Sequence, residues 1–546
     1  MMKKLYLLLI IGLFLGSCDF FELDLVENPN NLKPEDTDID YVLNNAQLSF
    51  VYFLNDPDPT NWNGMNKFGM ELCRMTYMFG PTYLAGYRTT NMDNVWNFAY
   101  QQLLRSIENV IPRAEALNMT NHSGVAKVLK AYTYMTLVDF FGDVPYSEAL
   151  QGAANFNPHV DDDAVIYNNC LTILDEAIAD LEANSAVGLA NDLFYNGNTT
   201  KWITLAKTLK LKMYLNLRLI NSATATTEIN SLIAGGDLID EDDEEFIFNY
   251  TANAVDPDCR HPYFTYNYLN GANDYMTNYF MWCCLVEKGV VDPRLRYYFY
   301  RQRNTIPTDI NVLPCLNAEK PSHYPGYMPF CALTSGYWGR DHLDGDGIPP
   351  DTRARTVFGL YPAGGKFDNN DNRQVAATSG AQGAGMEVIM FRSFVEFMKA
   401  EAALTLGTTG SARTHLENGI RQSIARVMAF RPDLTNAAYV PTQAAIDLYV
   451  TTVLGLYDAA ITDAERLEII TKEYYIALFG NGVETFNLVR RTTYPSNLQP
   501  ALVATPGDFY YTLYYPANCA NNNLNIDQKT GVVQVFWDNN PVGAIQ

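Results

Sequence analysis

Six aromatic side chains set in irregular sequence, Trp62, Tyr83, Tyr87, Trp282, Tyr337 and Trp338, are the residues best suited to hold a small ligand. A ring offers a flat apolar face to a sugar ring or a peptide side chain, and Tyr and Trp add a polar edge. Binding residues concentrate in loops carried by a rigid scaffold. The competing reading for any one ring is core packing, and Trp96 and Trp202, which fall on helical periodicity, are assigned to it.

Side chains that could break bonds are harder to find. Asp341, Asp344, Asp346 and Asp351 lie close together, but an EF-hand loop needs ligands at positions one, three and five and a bidentate Glu at twelve. Counting from Asp344, position five is Ile348, so a polar turn reads better than a calcium site at Asp344 and Asp346. The acidic run Glu241 to Glu245 reads as a solvated edge, because a glycosidase pair is defined by separation in space. Gly380, Gly383 and Gly385 have the wrong order for a dinucleotide fingerprint, and Lys366 is followed by Phe367 where a phosphate loop needs Ser or Thr. No nucleophile elbow occurs. No catalytic residue and no cofactor are expected.

Nine cysteines and six histidines do not change this. No cysteine pair has C-x-x-C spacing, adjacent Cys283 and Cys284 cannot chelate like one, and the histidines show no paired spacing. Most of the cysteines read as small buried hydrophobes, and any disulfide pairing stays open. A net charge of -23 argues against a nucleic-acid partner, which calls for clustered Lys and Arg.

Residues 1–17 read as a secretory signal. Lys3 and Lys4 precede a short apolar stretch, Leu5 to Phe14, too short to span a bilayer. Leu15-Gly16-Ser17-Cys18 resembles a bacterial lipobox, with Cys18 as the acylated residue, and the acidic residues after it resemble a surface-export signal of Bacteroidetes lipoproteins. Residues 18–37 are polar and Pro-punctuated, an extended tether from the lipid. Several acyl chains on one cysteine hold firmly where a single chain holds marginally.

The positioning elements are helices. Apolar residues at spacings of three and four predict helices from Asp38 to Val51, from Met92 through Ile111, and over Val125–Phe141, Asp163–Ala183 and Lys201–Ile220, with a shorter one through Thr227–Ile233. Further helices are predicted at Met386–Leu406, Ser411–Met428, Ala444–Tyr457 and Ala464–Phe479. The lengths suit antiparallel tetratricopeptide-like pairs. Between the two sets, residues 236–385 are loop-rich and crowded with aromatics, and a stretch that long is uncommon unless functional. The fold class is therefore mainly α: a scaffold at about 92–235 and 386–492 with a large ligand-binding insert. All of 38–546 is expected to form one domain, since repeat pairs bury their faces only against neighbours.

Ala126 to Leu150, AKVLKAYTYMTLVDFFGDVPYSEAL, resembles the hallmark of the SusD/RagB family of outer-membrane nutrient-binding lipoproteins. Lys201–Leu217, Phe394–Leu404 and Ile469–Pro495 resemble three further family blocks in the same order, the last ending in Arg490-Arg491-Thr492. Gly339–Gly365 looks more like the RagB-side branch. The resemblance implies a surface-exposed lipoprotein anchored in the outer membrane through Cys18. It would capture an oligosaccharide or oligopeptide and act as a hinged lid on a SusC-like TonB-dependent transporter. The alternatives are a lipid-anchored hydrolase and a helical-repeat scaffold lipoprotein of the envelope.

Overall fold

The computed structural model describes residues 37–55, 64–269, 274–345 and 355–545. The anchor candidate Cys18, the ring candidate Trp62, and Asp346 and Asp351 lie outside them.

Helix α1 (Ile39–Leu54) starts at Asp38, whose carboxylate accepts from the Asp40 amide. A short α2 (Met65–Leu72) follows. The predicted helix near Met92 is one rod, α3, made of Asp93–Phe98, a π-helical turn at Ala99–Leu104, and Arg105–Ala116. Next come α4 (Thr120–Phe141), α5 (Asp163–Ala183), α6 (Thr199–Leu217) and α7 (Ser222–Gly235). Asp162, Asn198 and Asn221 cap the last three with side-chain oxygens, the acceptors that the first free amides of a helix need. Helix α4 is buried almost all round, because α1, α3, α5 and α6 pack on it.

The scaffold resumes with α9 (Arg392–Leu406), α10 (Ala412–Met428), α11 (Gln443–Ala459), α12 (Asp463–Ala477) and α13 (Gly482–Thr492), once α8 (Asn278–Leu285) has been passed in the insert. A Thr462/Glu465 capping box starts α12. Helix α9 packs on both α6 and α7 and so joins the two halves. Helix α13 crosses α2 where Gly69 and Gly482 meet, and a Cβ at either position would overlap the other backbone. Among the described residues no helix is long and apolar enough to cross a membrane.

Strands are few. β1 (Phe246–Asn249) pairs antiparallel with β4 (Met386–Met390), and β2 (Phe299–Arg301) with β3 (Thr356–Phe358). The first turn and more of the helix expected at Met386–Leu406 is therefore a strand. Its five residues are buried against β1, and nothing in Met-Glu-Val-Ile-Met breaks a helical pattern, so tertiary pairing decides. The acidic run is also not wholly solvated: Glu245, next to β1, is buried 2.7 Å from Arg426, and burial lifts its carboxyl to about 7.

Charged groups tie the helices inside the core. Arg491 of α13 makes a two-pronged contact with Glu401 of α9 at 2.8 and 2.9 Å, donates to Asn216 of α6 at 2.6 Å, and shares Glu401 with Arg218. Burial alone would raise the Glu401 carboxyl, but Arg491 and Arg218 outweigh it and hold the group below its ordinary value. Its stabilisation is therefore present above the unfolded carboxylate value and is lost as pH falls through the depressed folded one. Glu401→Gln is expected to cost about 3 kcal/mol at neutral pH, as for other broken buried pairs, and to flatten the acid limb of the stability profile in urea unfolding. Glu387 of β4 behaves oppositely. It accepts from Asn55, Asn66 and Tyr250, yet burial lifts it to about 7. Its contribution is full below the unfolded value near 4.5 and is lost as pH rises through about 7, on the order of 3 kcal/mol for a shift of that size. The same unfolding series should show Glu387→Gln losing less stability than the unaltered chain between pH 5 and pH 8.

Candidate ligand-binding site

The insert presents one stepped row of rings. Tyr279 and Trp282 lie three residues apart on α8 and so share a face. Their planes are 30° apart with centroids at 6.0 Å, and Tyr327 continues the row over Trp282 at 6.1 Å and 21°. Exposure rises along it: Tyr279 is buried, Trp282 is 8% exposed and Tyr327 is 58% exposed. A planar apolar surface backed by inner rings is suited to stacking on a flat ligand face.

Local chemistry fixes the outer ring. Tyr327 follows the turn residues Pro325-Gly326 in a segment closed by a Cys315–Cys331 disulfide. The Lys320 ammonium donates to the carbonyls of Pro325, Gly326 and Met328, while Tyr324 and Met328 pack inward. Under the row, Lys472 of α12 donates to the Tyr279 hydroxyl at 3.0 Å, to Glu287 at 2.9 Å and to Asn497 at 2.6 Å. Burial would raise the Glu287 carboxyl, but the ammonium groups of Lys472 and Lys288 hold it below its usual range. A cleft of about 270 Å³ opens beside this network, lined by Glu287, Leu456, Glu468 and Lys472 among others.

The other described candidates are not exposed platforms. Tyr83 is buried against Phe509 and Tyr510, with its hydroxyl accepting from Arg74 at 3.0 Å. The Tyr87 hydroxyl donates to Glu71, and its ring meets the edge of Phe68. Tyr337 lies under the Arg301 guanidinium at 4.5 Å and donates to Asp368 at 3.3 Å. Trp338 is fully buried beside Leu313 and the disulfide. Each of these four rings is held inward by a partner within the fold, as in the core-packing reading. Trp96 and Trp202 are buried, as expected of packing residues. Sequence reasoning missed Tyr327, whose signal was a ring directly after a Pro-Gly turn between two cysteines. It also missed Phe79, 44% exposed.

Of the four acidic residues at this turn, Asp341 and Asp344 are among the described residues. The Asp344 carboxylate lies 3.1 Å from Arg340, Asp341 is buried and accepts from Asn278 and Gln499, and no cluster of His, Cys, Asp or Glu among the described residues is placed to hold an ion.

Residues 29–312 match the family model described as "Starch-binding associating with outer membrane", and 352–535 the one described as "Susd and RagB outer membrane lipoprotein". No curated protein sequence matches. Solved structures of similar fold include a SusD/RagB family protein from Bacteroides thetaiotaomicron (TM-score 0.66, 18% identity, covering 92% of this chain and 99% of that one). A SusD homologue from Bacteroides fragilis gives 0.63 at 20% identity, with the same coverage of both chains. A chitin-binding SusD homologue from Flavobacterium johnsoniae gives 0.62 at 19% identity, again covering 92% and 99%.

Replacing Cys315 and Cys331 together with Ser should cost about 3 kcal/mol if loop-closure entropy is the main term. Amide exchange should then quicken across 316–330 and stay slow in α4 and α13. Unchanged exchange would mean that Lys320 alone holds the Tyr327 segment.

Proposed function

The chain belongs to the SusD/RagB family of outer-membrane lipoproteins, which bind nutrient, and from that premise we propose that it captures an oligosaccharide at the cell surface and acts as a hinged lid on a SusC-like TonB-dependent transporter. The Tyr279–Trp282–Tyr327 row carries this reading, because an exposed ring backed by stacked inner rings gives a sugar ring a rigid flat face. Of the nearby cations, Lys472 is matched by Glu287 and Lys288 by Glu473, and the Lys320 ammonium is held by three main-chain carbonyls, which leaves stacking and hydrogen bonding as the main means of recognition. Similar folds in chitin-binding proteins support the glycan choice over an oligopeptide. The six rings expected from sequence divide under this reading. Trp282 contacts ligand, Trp62 is a candidate, and Tyr83, Tyr87, Tyr337 and Trp338 support the walls.

The binder performs no chemistry of its own. A lid that shares its ligand with the transporter leaves the isolated protein with modest affinity. Acylated Cys18 and the tether at 18–37 keep the body beside the barrel while it swings.

Calorimetry against a glycan panel and a peptide pool tests the reading. Tyr327→Ala and Trp282→Ala should each weaken glycan binding by about tenfold, the scale of a lost ring contact. Peptide binding that ignores both changes would reassign the ligand, and product release seen by chromatography would make the protein a hydrolase. Cys18→Ala should free the protein from the membrane and impair uptake without changing affinity in vitro; membrane retention with normal growth on the nutrient would refute the anchor.

A further inference from the structure

A second cleft, of about 380 Å³, lies between α3, the loop at 145–158 and the short helix Ala517–Asn522. It shares no lining residue with the Tyr279–Trp282–Tyr327 site. Its floor is made by the π-helical turn of α3. Trp96, Asn97, Tyr100 and Gln101 share one face of α3 at i,i+4 spacing, the last two within the π-helical turn, and such turns recur at functional sites. The buried Trp96 ring packs on Tyr100, Phe141 and Tyr515 and so backs the half-buried Tyr100 ring, whose hydroxyl is committed to the Pro145 carbonyl at 2.8 Å, so the Tyr100 face is what the floor offers. At the rim Phe156 is 76% exposed.

The walls are tied together. The Asn518 amide donates to Asp93 at 2.7 Å and Asn523 donates to the Pro158 carbonyl at 2.8 Å, which fixes the tail helix against the other two walls. The cleft is therefore built by parts remote in sequence.

Its chemistry is distinctive in a chain of net charge -23: no charged side chain lines it. Asn97, Gln101, Gln151 and Asn522 line it with amide groups that make no hydrogen bond among the described residues. An amide donates and accepts, as a sugar hydroxyl does, and neither has to desolvate a charge on pairing. An aromatic face below, an exposed ring at the rim and uncommitted amides around are the complement of a neutral polyol ring. A peptide would bring charged termini or side chains with no counterpart here.

We propose that this cleft, formed by Tyr100, Phe156 and the amides around them, is a second binding site for a neutral oligosaccharide, separate from the Trp282–Tyr327 site. It would give a long glycan a second hold, or keep a free chain end near the protein, on a face that the ring row does not use.

The test uses the full-length protein in three forms: unaltered, Tyr327→Ala, and the triple variant Phe156→Ala, Gln101→Ala, Asn522→Ala. All three replaced cleft residues are exposed, and circular dichroism checks that the fold is kept. Maltoheptaose, chitohexaose, xylohexaose and mannohexaose are titrated by calorimetry and by tryptophan fluorescence. With at least one of them, a saturable component should persist in Tyr327→Ala and weaken about tenfold or more in the triple variant, as expected for losing a stacking ring and two hydrogen-bonding amides. The second site is overturned if no glycan leaves a component that survives Tyr327→Ala, if that component is unchanged in the triple variant, or if a charged peptide pool displaces it. Loss of all binding in Tyr327→Ala alone would leave the first site standing and remove only the second.

Discussion

Adjacent buried arginines at the end of α13 hold the scaffold closed. Arg490 donates to the main-chain carbonyls of Asp139 and Tyr511, to Asn487, and lies over Phe486 at 3.7 Å and Trp537 at 4.9 Å. The Asp139 carboxylate completes this knot by accepting from Asn487 at 2.6 Å and from the Trp537 indole at 3.0 Å. Arg491 turns the other way, to Glu401 and Asn216. One dipeptide thus joins α4, α6, α9 and the C-terminal tail. Charges this deep are tolerated only when their donors and acceptors are met, and one missing partner leaves another stranded in low dielectric. That is the physical link between two of the sequence blocks: Asp139 stands just before Phe140-Phe141-Gly142, and Arg490-Arg491 closes the last pair.

The same logic reaches the ring row through α12. Glu473 accepts from Tyr449 and pairs with Lys288 at 3.0 Å, Arg294 pairs with Asp292 at 2.7 Å, and Lys472, one residue before Glu473, fixes Tyr279. The scaffold helix thereby sets the orientation of α8 and the rings it carries. Only the outermost ring depends on a separate device, the disulfide-closed segment gathered around Lys320. Inner rings belong to the core and the outer one to a loop, so the proposed platform is a rigid base with an adjustable tip.

Helices were legible because their apolar spacing is a local property: Asp163–Ala183 is found at its predicted bounds, and α6, α10, α11 and α12 lie within a few residues of theirs. The strand at Met386–Met390 was not, since its partner lies far away at Phe246–Asn249. Ring exposure was not legible for the same reason. Trp338 and Tyr327 both sit in irregular sequence beside the disulfide, yet Trp338 fills the cluster with Leu313 and Cys331 while Tyr327 is lifted out by a Pro-Gly turn. Nor did Cys315 and Cys331 announce their pairing among the eight cysteines other than Cys18. Composition marks a loop as suited to binding, but which rings it spends on its own core is settled by distant residues such as Arg301 over Tyr337 and Arg74 at Tyr83.

Charge placement completes the argument for a neutral ligand. A body of net charge -23 repels acidic polymers at long range. Attraction for such polymers would require a cluster of free cations at the site, whereas Lys472 is matched by Glu287, Lys288 by Glu473 and Arg294 by Asp292, and the single Lys320 ammonium is held by three main-chain carbonyls. Those pairs also raise the cost of burying a charged peptide group beside them, because any new partner must displace one already hydrogen-bonded. What the row presents outward is ring surface with a phenolic edge at Tyr327. Such a surface gains by stacking and loses little in desolvation, and the ligands that suit it are uncharged and ring-shaped.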